Sequence, residues 1–295
     1  MRLGGEPESS NFEDRTGQSG YGLGGGGGNA LGCLIPLIMS RFGLGGVVIL
    51  VIGYFILSSL GGLGGGGGIL PGGGTQQTAP SGQSTLDPNV RSFLTRVLGS
   101  TEQTWGEIFA KSNAQYAPTT MVAYSNSSSS GCGAAQAAMG PFYCPTDKKI
   151  YIDPQFFNEL SQRFGAPGDF AMAYVIAHEV GHHVQDLQGG LDEAHNAQVR
   201  ASEAEGNAIQ VRVELQADCY AGVWAANARD ERGSIMEAGD IEEGMRAAEA
   251  IGDDTLQRQT QGRVVPESFT HGTSAQRMAA LRTGYQSGDP AACKI

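Results

Sequence analysis

The sequence predicts an α+β domain, in which a small antiparallel sheet is followed by packed helices, preceded by one transmembrane helix. Three observations predict this class. A charge-free apolar run occupies residues 42–60, short β-like runs lie between residues 120 and 153, and helical patterns dominate from Pro154 onward. The chain has 295 residues, enough for one large domain or two small ones.

Glycine is concentrated in the N-terminal quarter of the chain. Runs of glycine stand at 24–28 and 64–68, among 46 glycines in all. Such runs have no side chains to bury and lose much entropy on ordering, so they are typical of flexible linkers. The sequence therefore predicts a glycine-rich arm over residues 1–41 and a linker over residues 64–87, with no part of either in a packed core.

Residues 42–63 are predicted to form the membrane-spanning helix, because about 20 apolar residues are needed to cross the hydrocarbon layer. A cleaved signal peptide is the alternative, but no Ala-x-Ala site follows the run. Arg2, Arg15 and Arg41 precede the run, and the next basic residue is Arg91. The positive-inside rule then predicts a cytoplasmic N-terminus and an extracytoplasmic C-terminal domain, in the periplasm or at the cell surface.

The predicted domain covers residues 88–295 and begins with a helix at Asp87-Pro88, where proline suits the first turn. Period-2 runs then predict strands, with the polar residues 127–130 as a turn between them. Asp169 is the predicted N-cap of the next helix. The predicted strands are 120–124, 141–143 and 149–153, and the later predicted helices are 170–188, 202–229, 240–251 and 274–285.

The net charge argues against one class of partner, and the cysteine content indicates the compartment of the domain. The net charge of −11 argues against nucleic acid as a partner, because such proteins carry a basic footprint. Apart from Cys33, four cysteines remain, and an even number in an oxidising compartment suggests disulfides. We predict the pairs Cys132–Cys144 and Cys219–Cys293. The alternative is four buried free thiols.

His178-Glu179-Val180-Gly181-His182 is the strongest chemical motif in the chain. Residues four apart on a helix lie roughly 40° apart around its axis, so both imidazoles share one face and can bind one Zn²⁺. Glu179 lies beside them and can take a proton from the attacking water. The motif has three fixed positions and also arises by chance in helices. His183 and His195 are expected at the surface or behind the metal ligands.

A catalytic zinc needs a third protein ligand. Gln185 and Gln188 stand where the long metzincin pattern requires Gly and His, so that variant is excluded. Carboxylates farther along the chain supply other candidates, Glu203, Glu205 and Glu214. Glu214 is favoured because its segment is strongly helical and places Asp218 four residues later. Asp218 could then accept a hydrogen bond from an imidazole N–H and hold its tautomer.

Two residues near the C-terminus complete the candidate site. His271 precedes a helix capped by Thr273 or Ser274, and it could donate a hydrogen bond to the oxyanion formed at a peptide carbonyl. Arg277 could pair with Asp218 or with another buried carboxylate. Ordinary structural roles are the alternative for both.

Together these segments resemble the bacterial putative neutral zinc metallopeptidase family. The resemblance covers most of the chain and rests on four segments in order, Cys132–Asp153, His178–Gln185, Glu214–Gly222 and Thr270–Arg277. The later segments are also similar to membrane peptidases of the Ste24 and HtpX type, which have several spans where this chain has one predicted. The resemblance implies a zincin or gluzincin-like fold, Glu214 as third ligand, and His271 and Arg277 as active-site residues.

The expected function is that of a membrane-anchored zinc metalloendopeptidase with one Zn²⁺ per chain and a peptide or protein substrate. Strand 149–153 is expected to lie at the cleft and pair with that substrate. The alternative is a catalytically silent, membrane-tethered scaffold that keeps a structural zinc site. Glu179 separates the two, because a structural site closes its coordination with protein ligands and needs no base.

Overall fold

The computed structural model describes residues 1–18 and 83–294, which form an α+β domain. Within these ranges the helices are α1 Pro88–Lys111, α2 Gln155–Gln162, α3 Asp169–Leu187, α4 Gly190–Gln198, α5 Glu203–Asn227, α6 Asp240–Ala250, α7 Asp253–Gln261 and α8 Ser274–Ser287. The strands are β1 Phe12–Arg15, β2 Thr120–Tyr124, β3 Ser127–Ser130, β4 Gly133–Gln136, β5 Phe142–Cys144, β6 Lys149–Ile152, β7 Arg229–Asp230 and β8 Gly233–Ser234.

The main sheet is mixed, so the prediction of an antiparallel sheet was wrong. Its strand order is β1-β2-β6-β5, in which β1, β2 and β6 are parallel and only β5 runs antiparallel. The chain from β2 to β6 spans residues 125–148, which is long enough for the crossover that parallel pairing requires. The spacing of the strands in the sequence does not reveal their directions. A short turn connects β5 to β6, whereas β2 is connected to β6 through a long crossover.

Residues 127–130, predicted as a turn, instead form strand β3, which pairs with β4 as an antiparallel hairpin. The Cys132–Cys144 disulfide joins the tip of this hairpin to the edge strand β5. Serine has little strand preference by itself, so the pairing depends on the partner strand and the covalent link rather than on local propensity.

Helix α3 lies at the centre of the domain and packs against α5, α6 and α1. Phe170 stacks on Trp224 of α5 with ring centroids 6.0 Å apart. A Cβ atom at Gly181 would lie 2.9 Å from the backbone oxygen of Ala217, so glycine lets α3 and α5 approach closely. Farther along α5, the Cys219–Cys293 disulfide joins the helix to the end of the chain.

The start of α3 differs from the prediction. Gly168, with φ of 130°, is the residue before the helix, and Asp169 is its first residue rather than its N-cap. The Asp169 carboxylate instead accepts hydrogen bonds of 2.8 and 3.0 Å from the Met1 ammonium group. A long-range ion pair thus replaces the local cap, which sequence spacing could not indicate.

Residues 1–18 belong to the folded domain, whereas the sequence analysis treated residues 1–41 as a flexible arm. Strand β1 pairs in parallel with β2 from Phe12↔Met121 to Arg15↔Tyr124. The glycine runs begin only at Gly24. The composition of the N-terminal quarter as a whole therefore did not indicate the short folded segment that precedes them.

No helix within residues 1–18 and 83–294 is long and apolar enough to cross a membrane. The predicted span at 42–63 lies outside the described residues, and so does Cys33. Most of the predicted arm and most of the predicted linker lie outside them as well, although residues 83–87 of the linker are described.

Glu6 is buried where the N-terminal segment meets the domain, and this burial should limit stability. No hydrogen bond of ordinary geometry from the described residues reaches either carboxylate oxygen, although the Ser100 side chain lies near them. Burial raises the pKa of Glu6 above its usual 4.5 and Asp230 adds to the rise, while Ser100 opposes it only in part. Because the folded state holds this proton more tightly than the unfolded chain, stability falls as pH rises from about 4.5 through the raised pKa.

We therefore expect Glu6→Gln to stabilise the protein at neutral pH, by about 1 kcal/mol. The gain should vanish below the usual glutamate pKa, where wild type is also neutral. Thermal unfolding at pH 4 and pH 8 measures the difference. The matched control is Glu8→Gln, since Glu8 is exposed and accepts a 2.9 Å hydrogen bond from Ser92. An equal gain at both pH values would contradict this explanation.

Candidate active site

His178 and His182 lie one turn apart on α3, and Glu214 faces them from α5. Their ligand atoms all lie within 4.8 Å of one another. His178 Nε2 is 3.2 Å from His182 Nε2 and 3.1 Å from Glu214 Oε2. His182 Nε2 is 3.5 Å from the same carboxylate oxygen. Two imidazoles and one carboxylate therefore converge on one point.

These separations fit a tetrahedral zinc ion. Two nitrogens that each lie ~2.0–2.1 Å from such an ion are about 3.3 Å apart. Without a cation, two buried imidazole nitrogens at 3.2 Å beside a carboxylate would compete for one proton. The donor set of two histidines and a glutamate is also one that catalytic zinc sites use.

The other ring nitrogen of each histidine is held by a buried acceptor. His178 Nδ1 lies 2.8 Å from Asp218 Oδ1, and His182 Nδ1 lies 2.9 Å from Gln185 Oε1. Both contacts place the proton on Nδ1 and leave Nε2 free to bind a metal. Gln185, which stands where the metzincin pattern requires Gly, thus orients the second ligand.

Asp218 is fully buried and is held by a ring of donors. Arg277 donates to both of its oxygens, from Nε and Nη2, at 2.8 Å each. The Tyr174 hydroxyl donates to Oδ1 at 2.6 Å, and Arg277 Nη2 lies 3.1 Å from that hydroxyl. Two hydrogen bonds from one guanidinium fix the orientation of the carboxylate and also balance its charge. Asp218 is therefore locked in place while it holds His178.

The charges in the site shift its pKa values strongly. Burial raises the pKa of Asp218, but Arg277 and His178 outweigh it and hold that pKa well below its usual range. Burial lowers the pKa of His178, yet Asp218 and Glu214 raise it to about 10 in the metal-free site. A metal ion must displace that proton, so metal binding should weaken as pH falls.

Glu179 follows the first histidine and is buried at 7% exposure, but it is not one of the three converging ligands. Burial raises its pKa, while His178, His182 and the backbone N–H of Tyr143 lower it. Tyr143 lies in β5, the edge strand of the main sheet. The structure therefore brings a buried carboxylate, the converging ligands and a strand edge together.

His271 lies in the loop before α8, near enough to Glu214 for each to shift the pKa of the other. Asp253 organises this loop. Its Oδ2 accepts the backbone N–H groups of Thr270, His271 and Gly272 at 2.7, 2.6 and 3.0 Å. Its Oδ1 lies 3.4 Å from His271 Nδ1. Asp253 thus sets the position of His271.

The remaining candidates lie away from the cluster. Glu203 and Glu205 stand in the first turn of α5, where Glu205 forms a capping box with Ser202. His195 is exposed on α4. His183 is buried between the Tyr143 hydroxyl, 3.0 Å from its Nδ1, and the Ala117 carbonyl, 2.6 Å from its Nε2.

Sequence reasoning missed three supporting residues, Gln185, Gln210 and Asp253. Gln210 donates to Glu214 Oε1 at 2.9 Å from one turn earlier on α5. Its i, i+4 spacing to Glu214, and the matching i, i+3 spacing of His182 and Gln185, are signals that could have identified both glutamines. Nothing in the sequence pairs Asp253 with the loop 270–272, because α7 and that loop meet only in the fold.

Comparison with known proteins gives the family. The family model described as putative neutral zinc metallopeptidase matches residues 1–295. The chain is 45% identical over 297 residues to the uncharacterized protein YpfJ of Escherichia coli K12, covering 99% of this chain and 98% of that protein. It is 45% identical over 187 residues to the uncharacterized protein Rv2575 of Mycobacterium tuberculosis, covering 60% and 62% of the two.

No solved structure matches this chain. The family match spans the whole chain, including the two histidines and the glutamate that converge in the structure. The chain therefore belongs to the putative neutral zinc metallopeptidase family.

Proposed function

We propose that the protein is a zinc-dependent endopeptidase, with the ion held by His178, His182 and Glu214. The observation that carries this proposal is the convergence of three ligands beside a buried Glu179 that is not itself a ligand. A structural zinc site uses four protein ligands and needs no base. Among residues 1–18 and 83–294, this cluster offers three.

When bound, zinc supplies Lewis acidity that polarises a peptide carbonyl and activates water. Glu179 accepts the proton from that water and passes it to the leaving amine. His271, held by Asp253, stabilises the negative charge that develops on the carbonyl oxygen. Asp218 and Gln185 keep the two imidazoles in the tautomer that binds metal.

The main sheet has two edge strands, β1 and β5, and β5 is the one that contacts helix α3 and could pair with an extended substrate. Residues 149–153, where the substrate was predicted to pair, contain strand β6, which lies between β2 and β5 and has no free edge. Tyr143 of β5 lies near enough to Glu179 to lower the pKa of that carboxylate, so a peptide added to this edge would pass the base.

We also propose that the domain works outside the cytoplasm, attached to the membrane through the apolar residues 42–63. The two disulfides, Cys132–Cys144 and Cys219–Cys293, support this, because disulfides persist in oxidising compartments.

Metal removal and restoration test the activity. The purified full-length protein should contain about one zinc per chain by elemental analysis, and it should cleave casein. A chelator should abolish cleavage, and added Zn²⁺ should restore it. Casein cleavage that is equal in the metal-free and zinc-loaded protein would rule out this role for the site, and zinc binding without cleavage would favour the silent scaffold.

A further inference from the structure

The first 18 residues are built into the same folded unit as the peptidase domain. Within them, strand β1 adds to the outer edge of β2 over the register Phe12↔Met121 to Arg15↔Tyr124. The backbone N–H of Met121 also donates to the Asn11 carbonyl at 2.9 Å. Met121 itself is fully buried. Loss of this strand would leave the β2 edge unpaired.

Side chains of α1 hold the residues before β1. Arg96 Nη1 donates to the carbonyl oxygens of Leu3 and Glu6 at 3.2 and 2.7 Å. The Ser9 N–H donates to the Thr95 carbonyl at 3.0 Å, and the Ser9 hydroxyl donates to Glu102 at 2.6 Å. Backbone groups of the segment are therefore satisfied by the domain and not only by water.

Glycines stand where this segment touches the domain most closely. A Cβ atom at Gly99 of α1 would overlap the Pro7 carbonyl oxygen, and one at Gly17 would overlap the Gln83 carbonyl oxygen. Any other residue at either position would force the segment away. The local sequence of α1 is thus adapted to the presence of residues 7–9.

The two ends of the connection between residues 18 and 83 meet at one point on the surface. The Thr85 N–H donates to the Thr16 hydroxyl, and the Thr85 hydroxyl donates to the Thr16 carbonyl, each at 3.1 Å. The predicted span, residues 42–63, falls within this connection. The chain therefore leaves the domain and re-enters it at adjacent positions.

We infer that residues 1–18 and the peptidase domain, which we propose to be attached to a membrane, lie on the same side of it. A single crossing would separate β1 from β2 by the thickness of the bilayer, about 30 Å of hydrocarbon. This inference replaces the topology with a cytoplasmic N-terminus. It does not depend on the proposed activity.

Two of the three basic residues that suggested a cytoplasmic N-terminus are used by the fold, and the third, Arg41, lies outside the described residues. Arg2 Nη2 lies 3.6 Å from Asp230 Oδ1, and Arg15 Nη1 donates to the Ser129 carbonyl at 3.1 Å. Their charges are partly satisfied by the domain, so they are weak evidence for which side of the membrane the segment occupies.

Cysteine labelling of the full-length chain in bacterial membranes tests the inference. The background is Cys33→Ser, since the other four cysteines form disulfides. Single cysteines are placed at exposed Ser10, in the N-terminal segment, and at exposed Gln115, in the domain, as the matched control. Sealed spheroplasts are treated with a membrane-impermeant maleimide before and after permeabilisation, and labelling is normalised to denatured protein. A cytoplasmic marker protein reports leakage.

We expect Ser10→Cys and Gln115→Cys to react to the same relative extent in sealed spheroplasts. If both react only after permeabilisation, the shared side still holds, and the proposal of an extracytoplasmic domain fails instead. Labelling of one position in sealed spheroplasts, with the other protected until permeabilisation, would overturn the inference.

Discussion

Glu179→Gln is expected to abolish proteolysis while leaving zinc binding intact. Removal of a general base lowers rates by roughly 10²–10⁴-fold, and the amide cannot accept the proton that the carboxylate accepts. Glu179 is not among the converging ligand atoms, so the variant should still hold about one zinc per chain. Casein cleavage and zinc content by elemental analysis, on the same preparation, measure both effects.

The fold should survive this change, because Gln has the shape of Glu and removes a carboxylate whose burial raises its pKa. The matched control is Glu193→Gln, an exposed glutamate on α4, which should keep full activity. If Glu179→Gln cleaves casein as fast as wild type, Glu179 is not the base. If it loses zinc as well as activity, the loss cannot be assigned to proton transfer.

Asp218→Asn is expected to damage both the fold and the metal site. The change leaves the guanidinium of Arg277, which is 3% exposed, without its counter-charge. Breaking a buried ion pair in this way costs about 3–5 kcal/mol. The hydrogen bond that orients His178 also weakens, and loss of such a partner typically lowers metal affinity about 10–100-fold. Urea unfolding and a zinc competition titration measure the two effects separately.

Tyr174→Phe provides the matched control for Asp218→Asn. It removes one hydrogen bond to the same carboxylate, at 2.6 Å, but leaves the charge pair with Arg277 in place. The cost should be smaller, about 1.5–3 kcal/mol for a bond to a charged group, and zinc affinity should change little. Equal effects of the two variants would show that charge neutralisation is not the main role of Asp218.

Most helices of the domain could be predicted from the sequence, because their apolar residues recur with the helical period. The predicted ends of α3, α5, α6 and α8 agree with the structure within two residues. The short helices α2, α4 and α7 escaped prediction. Their stability comes from packing against longer elements, and brief segments carry little periodic signal.

The sheet could be predicted only in part. Strands β2, β5 and β6 were located, but their directions and the presence of β1 were not. Strand direction depends on how the chain crosses between strands, and β1 is only four residues long beside a glycine-rich region. Pairing between residues more than 100 positions apart leaves no local pattern.

The sequence by itself determined the chemistry of the candidate site: two histidines on one helical face, a glutamate between them, and a carboxylate pair at i, i+4 on a later helix. Helical geometry dictates these relations, so spacing alone suffices. It also predicted both disulfide pairs, since few pairings were available.

Only the tertiary structure decided which residues from distant parts of the sequence are in contact. It brought Glu214, which the sequence already favoured, to the two histidines, and it chose Asp218 among the possible partners of Arg277. It also placed Asp253 under the His271 loop and packed residues 1–18 on the domain. The physical reason is common to all of these: burial and long-range hydrogen bonds set them, and neither is encoded in the periodicity of any one segment.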